Sequence, residues 1–172
     1  MLYWAKKLSE LNFDSLMQLY QEGNQENALE LYGQMEPAKA LARAEQDFVD
    51  YLTEDFFTHK DARYAIWVQD DHYVSALRLE PWEDGLLLEA LETHPNFRRQ
   101  GFAKALICEV QKSLRGVAVY SHVSKRNKAS LAVHRACGFV ICKDSVRLLD
   151  GTVSSSGVTL RWYPEKEGRV EE

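Results

Sequence analysis

Apolar side chains recur at helical spacing through the first third of the chain. Residues 13–21 repeat apolar positions every three or four residues, and Gly23 follows as the expected end of that helix. Residues 37–57 show the same spacing over a longer stretch, with Pro37 placed where a helix start tolerates proline. A short opening strand is compatible with residues 1–8. The pattern predicts a mainly helical first third.

The pattern then changes to short runs rich in β-branched, aromatic or large apolar residues. Three such runs occupy residues 64–68, 73–77 and 86–91. The polar pair Asp70-Asp71 separates the first two, and residues 81–85 separate the second from the third. Breaks of this length suit hairpin connections, so we predict three strands in an antiparallel meander.

The second half alternates helical and strand patterns. Helices are expected over residues 101–114 and 127–137, and strands over residues 117–120, 139–142 and 158–163. The order of elements indicates an α/β protein with a mixed sheet covered by helices, and it differs from the strict alternation of a doubly wound nucleotide-binding sheet.

Composition narrows the class of protein. The 172 residues are 45% hydrophobic and 27% charged, and no repeat or linker divides them, so we expect one globular domain over residues 1–163 and a charged tail over 164–172. The net charge of −5 disfavours nucleic acid as a partner.

No stretch is long and apolar enough for a membrane span, and the N-terminus lacks the charge order of a signal peptide, which predicts a cytoplasmic protein. The three cysteines lack the spacing of a zinc or redox site, so no metal is expected.

One window combines small and basic residues where a strand is expected to meet a helix. After the strand that ends near Thr93, residues 98–104 read Arg-Arg-Gln-Gly-Phe-Ala-Lys. A helix N-terminus directs unpaired N–H groups and the positive end of its dipole at one place, and small residues there let a phosphate approach the backbone. The window therefore predicts an anion site suited to a pyrophosphate, the alternative being a solvated basic run before an amphipathic helix. It matches neither the P-loop nor the Gly-x-Gly-x-x-Gly spacing.

The same window contains Arg98-x-x-Gly101-x-Ala103, which resembles the Q/R-x-x-G-x-G/A signature of the GNAT superfamily of acyl-CoA-dependent N-acyltransferases. Pro95 and a strand precede it, and a helix follows. Downstream, Asn127-x-x-Ser130-x-x-x-His134-x-x-x-Gly138-Phe139 resembles the family's N-x-x-A-x-x-x-Y-x-x-x-G-F segment. The resemblance extends over residues 1–163. It implies a mixed, mostly antiparallel central sheet flanked by helices, with a splayed strand pair that holds acyl-CoA.

The resemblance also implies which residues bind the acetyl-CoA donor. The pantetheine arm would hydrogen-bond to the strand backbone at Leu91, Glu92 and Thr93. The pyrophosphate would be held by the signature loop and its helix, and Asn127 and Ser130 would contact the pantetheine or phosphate arm, although Asn127 also suits a helix N-cap. The signature residues concerned are Arg98, Arg99, Gln100, Gly101, Phe102, Ala103 and Lys104.

His134 is the position where the chain departs from the family pattern. The family usually has tyrosine there, whose hydroxyl protonates the departing thiolate. Histidine can donate a proton near neutral pH, so we expect His134 to be the general acid, with a packed or surface histidine as the alternative. Tyr120, Tyr163 or water would then supply the proton.

The reaction also needs a base, because an amine attacks a thioester carbonyl only after losing its proton. Glu89 and Glu92 lie in an otherwise apolar strand, where burying a carboxylate is costly without a task or a partner. Related enzymes often carry Glu six residues before the proline, which is the position of Glu89. We expect Glu89 to be the base and Glu92 to be the second choice, unless either is a solvated residue at the cleft wall.

The resemblance implies an N-acetyltransferase that moves acetyl from acetyl-CoA to a primary amine of a small molecule or peptide by direct attack. The alternative is a non-catalytic acyl-CoA-binding or sensing module, which the missing tyrosine at position 134 favours. An acidic helical stripe with Trp82 nearby would suit a cationic amine, or else is a solvated helix face. A homodimer is also an expectation, since dimers are common among similar proteins. The stripe comprises Asp47, Asp50 and Glu54.

Overall fold

A computed structural model describes residues 1–148 and 151–164 of the chain. The helices are α1 (Phe13–Leu19), α2 (Gln21–Tyr32), α3 (Pro37–Glu54), α4 (Phe102–Ser113) and α5 (Lys128–Ala136). The strands are β1 (Leu2–Ala5), β2 (Arg63–Gln69), β3 (His72–Trp82), β4 (Gly85–Thr93), β5 (Val119–Ser124), β6 (Val140–Lys143), β7 (Val146–Arg147), β8 (Val153–Ser154) and β9 (Gly157–Trp162).

Seven strands form one sheet in the order β1-β2-β3-β4-β5-β9-β6, and β7 and β8 form a separate two-stranded ladder. Within the described residues, β4 and β5 run parallel, and the other neighbouring strands are antiparallel. The parallel pair follows from the connection through α4, because two parallel strands need a crossover between them. The predicted α/β fold with a mostly antiparallel sheet is confirmed.

Helices cover both faces of the sheet, and alternation along the strands supplies a core on each side. Leu77 and Leu79 of β3 pack with Leu106 of α4 on one face. Ala76 of β3 packs with Leu52 of α3 on the other face, in the cluster that also contains side chains of α1. Successive residues of a strand point to opposite faces, so a strand with both faces covered is apolar almost throughout.

The sheet opens between β4 and β5. Their pairing ends at Leu88 and Ser121, although β4 continues for five more residues and β5 for three. At the same level β4 contains a bulge, because Leu77 of β3 lies opposite both Ala90 and Leu91. Ala90 has a φ of 50°, and its carbonyl oxygen accepts a 2.7 Å hydrogen bond from the hydroxyl of Tyr20. The bulge bends β4 away from β5 and leaves a gap between the two strands.

Several predicted bounds in the first half are wrong. Gly23 does not end a helix: α1 ends at Leu19, and α2 runs through Gly23 because its far end packs on α3 around Ala28 and Ala44. The opening strand ends at Ala5, and α3 ends at Glu54, each followed by a short 3₁₀ turn.

The expected loop over residues 81–85 is also wrong. Strand β3 continues through Pro81 and Trp82, which pair with the start of β4, so the connection is a tight turn at Glu83 and Asp84. The next strand begins at Val119 instead of Val117, and the β7–β8 ladder was not predicted. Residues 165–172 of the predicted tail lie outside the residues that the structure describes, and so do residues 149 and 150. Over the described ranges, no helix combines the length and apolarity needed to cross a membrane.

Candidate functional site

The loop before α4 presents backbone N–H groups to the gap beyond β4. Arg99 has a φ of 61° and Gly101 a φ of 85°, on either side of Gln100 with negative φ. Gly101 is the N-cap of α4, and no side chain there caps the first turn. Alternating signs of φ before a helix N-terminus make a concave set of N–H donors that binds anions.

A cleft of about 420 Å³ lies at this loop, between the end of β4 and the start of α5. Nearly all residues that the sequence predicted to contact the cofactor line it. The exceptions are His134, which lines a separate cavity, and Gln100, whose amide nitrogen donates a 3.2 Å hydrogen bond to the carbonyl of Asn96. The predicted residues that line it are Leu91, Glu92, Thr93, Arg98, Arg99, Gly101, Phe102, Ala103, Lys104, Asn127 and Ser130.

Asn127 and Ser130 form the α5 side of this cleft. The Asn127 side chain accepts a 3.0 Å hydrogen bond from the backbone N–H of Ser130, so Asn127 is the N-cap of α5. Its position at the cleft also leaves it within reach of a ligand. The capping role that the sequence predicted is therefore present, and it is compatible with ligand contact.

Arg98 forms ion pairs with carboxylates, so its positive charge is not free for an anion bound at the N–H groups of the loop. Its guanidinium lies 2.7 Å from Glu22 Oε2 and 3.3 Å from Glu92 Oε1, and its Nε donates to the carbonyl of Thr93 at 3.1 Å. Arg98 thereby joins α2 to the end of β4. Arg99 and Lys104 are the basic residues of the loop with no such ion pair among the described residues, and they leave the positive charge of the cleft uncompensated.

Glu92 is held at the cleft wall. Its Oε1 accepts a 3.0 Å hydrogen bond from the backbone N–H of Thr93 and contacts Arg98. Burial raises the pKa of the carboxyl, and the Thr93 N–H and Arg98 oppose that effect. A carboxylate with these partners is less available to take a proton from a substrate than one without them.

Glu89 stands one residue before the bulge. Its Oε1 lies 3.3 Å from Arg78 Nε, and neither atom has a well-aligned hydrogen bond within the described residues. Burial raises the pKa of Glu89 to about 7, Arg78 opposes the rise, and the neighbouring carboxylate of Glu80 adds to it. A carboxyl group with a pKa near neutrality can both accept and release a proton during turnover.

His134 lies in a smaller cavity of about 170 Å³ inside the gap between β4 and β5. It is 1% exposed, and its Nδ1 lies 2.7 Å from the carbonyl oxygen of Ser130, which fixes that nitrogen as the proton donor. Nε2 is buried and has no hydrogen-bond partner among the described residues. Burial lowers the pKa of His134, so the neutral ring, with a lone pair on Nε2, is favoured at neutral pH. Only the doubly protonated ring could donate from Nε2 to a thiolate.

The two tyrosines named as substitutes for His134 lie elsewhere. The Tyr120 hydroxyl donates to the carboxylate of Asp84 in the β3–β4 turn. Tyr163 is 53% exposed, with the Arg161 guanidinium 3.6 Å from its ring centre. Neither lines the cavities around the gap.

A third cavity, of about 340 Å³, lies on the other side of the bulge under α2 and α3. Tyr20, Asp47, Tyr51 and Arg78 are among its lining residues, and Ala90 lines both this cavity and that of His134. Asp47 is the member of the predicted acidic stripe that lines the cavity. It accepts from the Tyr32 hydroxyl and pairs with Arg43 at 3.1 Å.

The other residues predicted to suit a cationic amine lie away from this cavity, namely Asp50, Glu54 and Trp82. Asp50 accepts from Gln46 at 2.7 Å, and Glu54 is exposed, as expected for a solvated helix face. Trp82 packs against Tyr120 and His122.

Sequence reasoning missed three residues that shape the site. Tyr20 supports the bulge, Arg78 is the cation beside Glu89, and His122 lines the gap between the strands. An arginine within an apolar strand pattern was a usable signal for Arg78, because a buried guanidinium requires a partner. Among the described residues, no cluster of three or more His, Cys, Asp or Glu side chains is arranged to hold a metal ion.

The structure is an α/β protein whose sheet opens between two parallel strands, with a helix N-terminus at one end of the gap. A helix N-terminus of this kind can bind an anion such as a phosphate. Comparison of the sequence with models of known protein families identifies the family. The model of the acetyltransferase (GNAT) family matches residues 13–139, and the chain belongs to that family. A search of curated proteins found no match.

Solved structures share the fold at low sequence identity. An N-acetyltransferase from Staphylococcus aureus Mu50 aligns with a TM-score of 0.64 at 15% identity, covering 92% of this chain and 98% of the other. An aminoglycoside 6'-acetyltransferase type Ii aligns with a TM-score of 0.62 at 14% identity, covering 95% and 96%. A spermidine N-acetyltransferase from Vibrio cholerae, in complex with CoA and spermine, aligns with a TM-score of 0.60 at 15% identity, covering 94% and 95%.

Proposed function

We propose that the protein transfers the acetyl group of acetyl-CoA to a primary amine of a small molecule or peptide. One observation carries the proposal: Glu89, whose pKa is raised to about 7, stands beside the bulge where the cavity of His134 meets the cavity under α2 and α3. The pyrophosphate would lie on the N–H groups of the α4 N-terminus, and the pantetheine arm along the unpaired edge of β4 after Leu88. The thioester would then reach the bulge, where the acceptor amine arrives from the opposite side.

The chemistry follows from these positions. The acceptor ammonium gives a proton to Glu89, and the free amine attacks the thioester carbonyl. The tetrahedral intermediate collapses with cleavage of the carbon–sulfur bond, the attacking nitrogen loses its second proton to give a neutral amide, and the CoA thiolate takes up one proton. His134 as donor of that proton remains a proposal, and it requires the ring to be doubly protonated when the bond breaks.

The acceptor cavity supports a small acceptor or the end of a peptide. Its volume of about 340 Å³ is at the lower end of the range for small-molecule pockets. The carboxylate in its lining is Asp47, which pairs with Arg43, so an acceptor that is cationic at more than one point would compete with Arg43 for it. The family neighbour crystallised with CoA and spermine acts on an amine of that kind by its name, and this supports a polyamine as the first acceptor to test.

The experiment is a thiol-release assay with acetyl-CoA and a panel of polyamines, aminoglycosides, amino acids and peptides. We expect release with at least one class, and a loss of about 10²–10⁴-fold in kcat near neutral pH in Glu89→Gln. Glu109→Gln is the matched control, because Glu109 is an exposed carboxylate on α4 that pairs with Lys112. CoA binding without release from any amine would instead favour the sensing module.

A further inference from the structure

Two carboxylates and one guanidinium share the sheet face that α3 covers. Arg78 of β3 lies directly opposite Glu89 of β4, and Glu80 stands two residues along β3 on the same face. Diagonal neighbours of this kind lie within reach of long side chains, and the Glu80 carboxylate raises the pKa of Glu89. The exposed fractions of the Arg78, Glu80 and Glu89 side chains are 12%, 12% and 24%.

The charges in this group do not balance. Arg78 supplies one positive charge against two carboxylates, and its guanidinium is surrounded by rings, with Tyr51 at 4.9 Å and Phe56 at 5.4 Å. Two carboxylates in a poorly solvated site resist ionising together, and a proton shared between them relieves the repulsion. The group is therefore arranged to bind one more proton.

Glu80 is fixed in place from the other side. His59 Nδ1 lies 3.0 Å from Glu80 Oε2, and His59 Nε2 lies 3.4 Å from Asp55 Oδ1. These contacts hold the Glu80 carboxylate against the interior, although His59 itself is exposed.

We propose that Glu80 is a positioning residue for the base: its carboxylate accepts the hydrogen bond of protonated Glu89 and so stabilises the proton that Glu89 takes from the acceptor ammonium. The step is balanced, since the ammonium loses one proton and Glu89 gains it. The inference rests on the proposed function only for the origin of that proton. The other charged or titratable groups that face Glu89 include Arg78 from β3, Tyr51 from α3 and Tyr64 from β2. His122 of β5 and His134 of α5 line the same small cavity as Glu89.

The test is a titration of the glutamate side-chain carboxyl carbons by ¹³C NMR, which needs no turnover. A resonance that disappears in Glu89→Gln identifies Glu89. In Glu80→Gln we expect its midpoint to fall by one pH unit or more, a tenfold loss of proton affinity, while Glu54→Gln, on the exposed face of α3, leaves it unchanged. An unchanged midpoint in folded Glu80→Gln overturns the proposal.

Two further measurements separate positioning from a structural role. His59→Asn releases Glu80 without altering the carboxyl pair, and we expect a smaller fall of the Glu89 midpoint in the same direction. If an acceptor is found, the acid limb of the kcat/KM profile should move with the NMR midpoint while the Kd for CoA stays constant. A fall in kcat with a fixed midpoint in both experiments would contradict the proposal. Absence of turnover with the predicted NMR shift would reject the transferase function alone.

Discussion

Replacing Gly101 with aspartate separates ligand binding from folding. Gly101 has a φ of 85°, and a Cβ at this position would meet no heavy atom within 4 Å. The left-handed backbone costs a residue with a Cβ about 1–2 kcal/mol. Aspartate at an N-cap returns a few tenths of a kcal/mol. The net loss is a small part of an unfolding free energy of about 5–15 kcal/mol, so we expect Gly101→Asp to fold.

The effect on CoA should be much larger than the effect on stability. The new carboxylate would occupy the space over the N–H groups of α4 and repel the pyrophosphate. A hydrogen bond to a charged group contributes about 1.5–3 kcal/mol. Loss of two such bonds corresponds to about 3–6 kcal/mol, or a rise in Kd of about 10²–10⁴-fold.

Calorimetric titration with CoA, alongside thermal unfolding, measures both quantities. Gly116→Asp is the matched control, because Gly116 also has a positive φ of 69° and open space around its Cβ position, and it lies outside the cleft. The control should lose similar stability and keep its affinity for CoA. If folded Gly101→Asp bound CoA as tightly as the control, the phosphate site would not be at the α4 N-terminus.

Three further predictions concern the gap and the base. If the His134 ring protonates the thiolate, His134→Ala should lower kcat and leave the affinity for acetyl-CoA unchanged. His134→Tyr should then restore activity, with the pH–rate profile shifted to higher pH. Unchanged turnover of His134→Ala would exclude His134 as the general acid. Tyr20→Phe removes the hydroxyl that donates a hydrogen bond to the Ala90 carbonyl, and it should lower the unfolding free energy by about 1 kcal/mol in urea denaturation. An unchanged urea midpoint would show that the bulge does not depend on this hydrogen bond. Because the pKa of Glu89 is higher in the folded protein than its ordinary value of 4.5, the folded state binds more protons between these values, and stability falls as pH rises through about 7. Glu89→Gln should therefore raise Tm at about pH 8 and not at about pH 4; an equal change at both would contradict the assignment.

The window proposed to bind the phosphates of CoA could be located from the sequence because its structure is local. Strand, loop, glycine and helix start follow one another from Leu91 to Lys104, and backbone N–H groups at a helix start need no distant partner. The partners of Arg98 could not be predicted, because Glu22 comes from α2 and is far away in sequence. The proposed role of Glu80 could not be predicted for a similar reason, because only the register between β3 and β4 brings Glu80 near Glu89.

The errors in the fold also have local causes. Gly23 and the segment from Pro81 to Gly85 carry residues typical of breaks, yet tertiary packing carries α2 through the glycine and strand pairing carries β3 through the proline. The bulge at Ala90 has no sequence signal, because alanine rarely adopts a positive φ. The sheet and the Tyr20 hydroxyl impose it.

The most direct test of the account follows the acetyl group itself. The protein is incubated with acetyl-CoA labelled with ¹³C in the acetyl group and with an amine from the responsive class, and both the amine and the intact protein are examined by mass spectrometry. We predict that the label appears as an amide on the amine, in equal amount to the free CoA formed, with none on the protein. Label bound to the protein, or CoA binding with no labelled amide from any amine, would contradict direct transfer to an amine in this cleft.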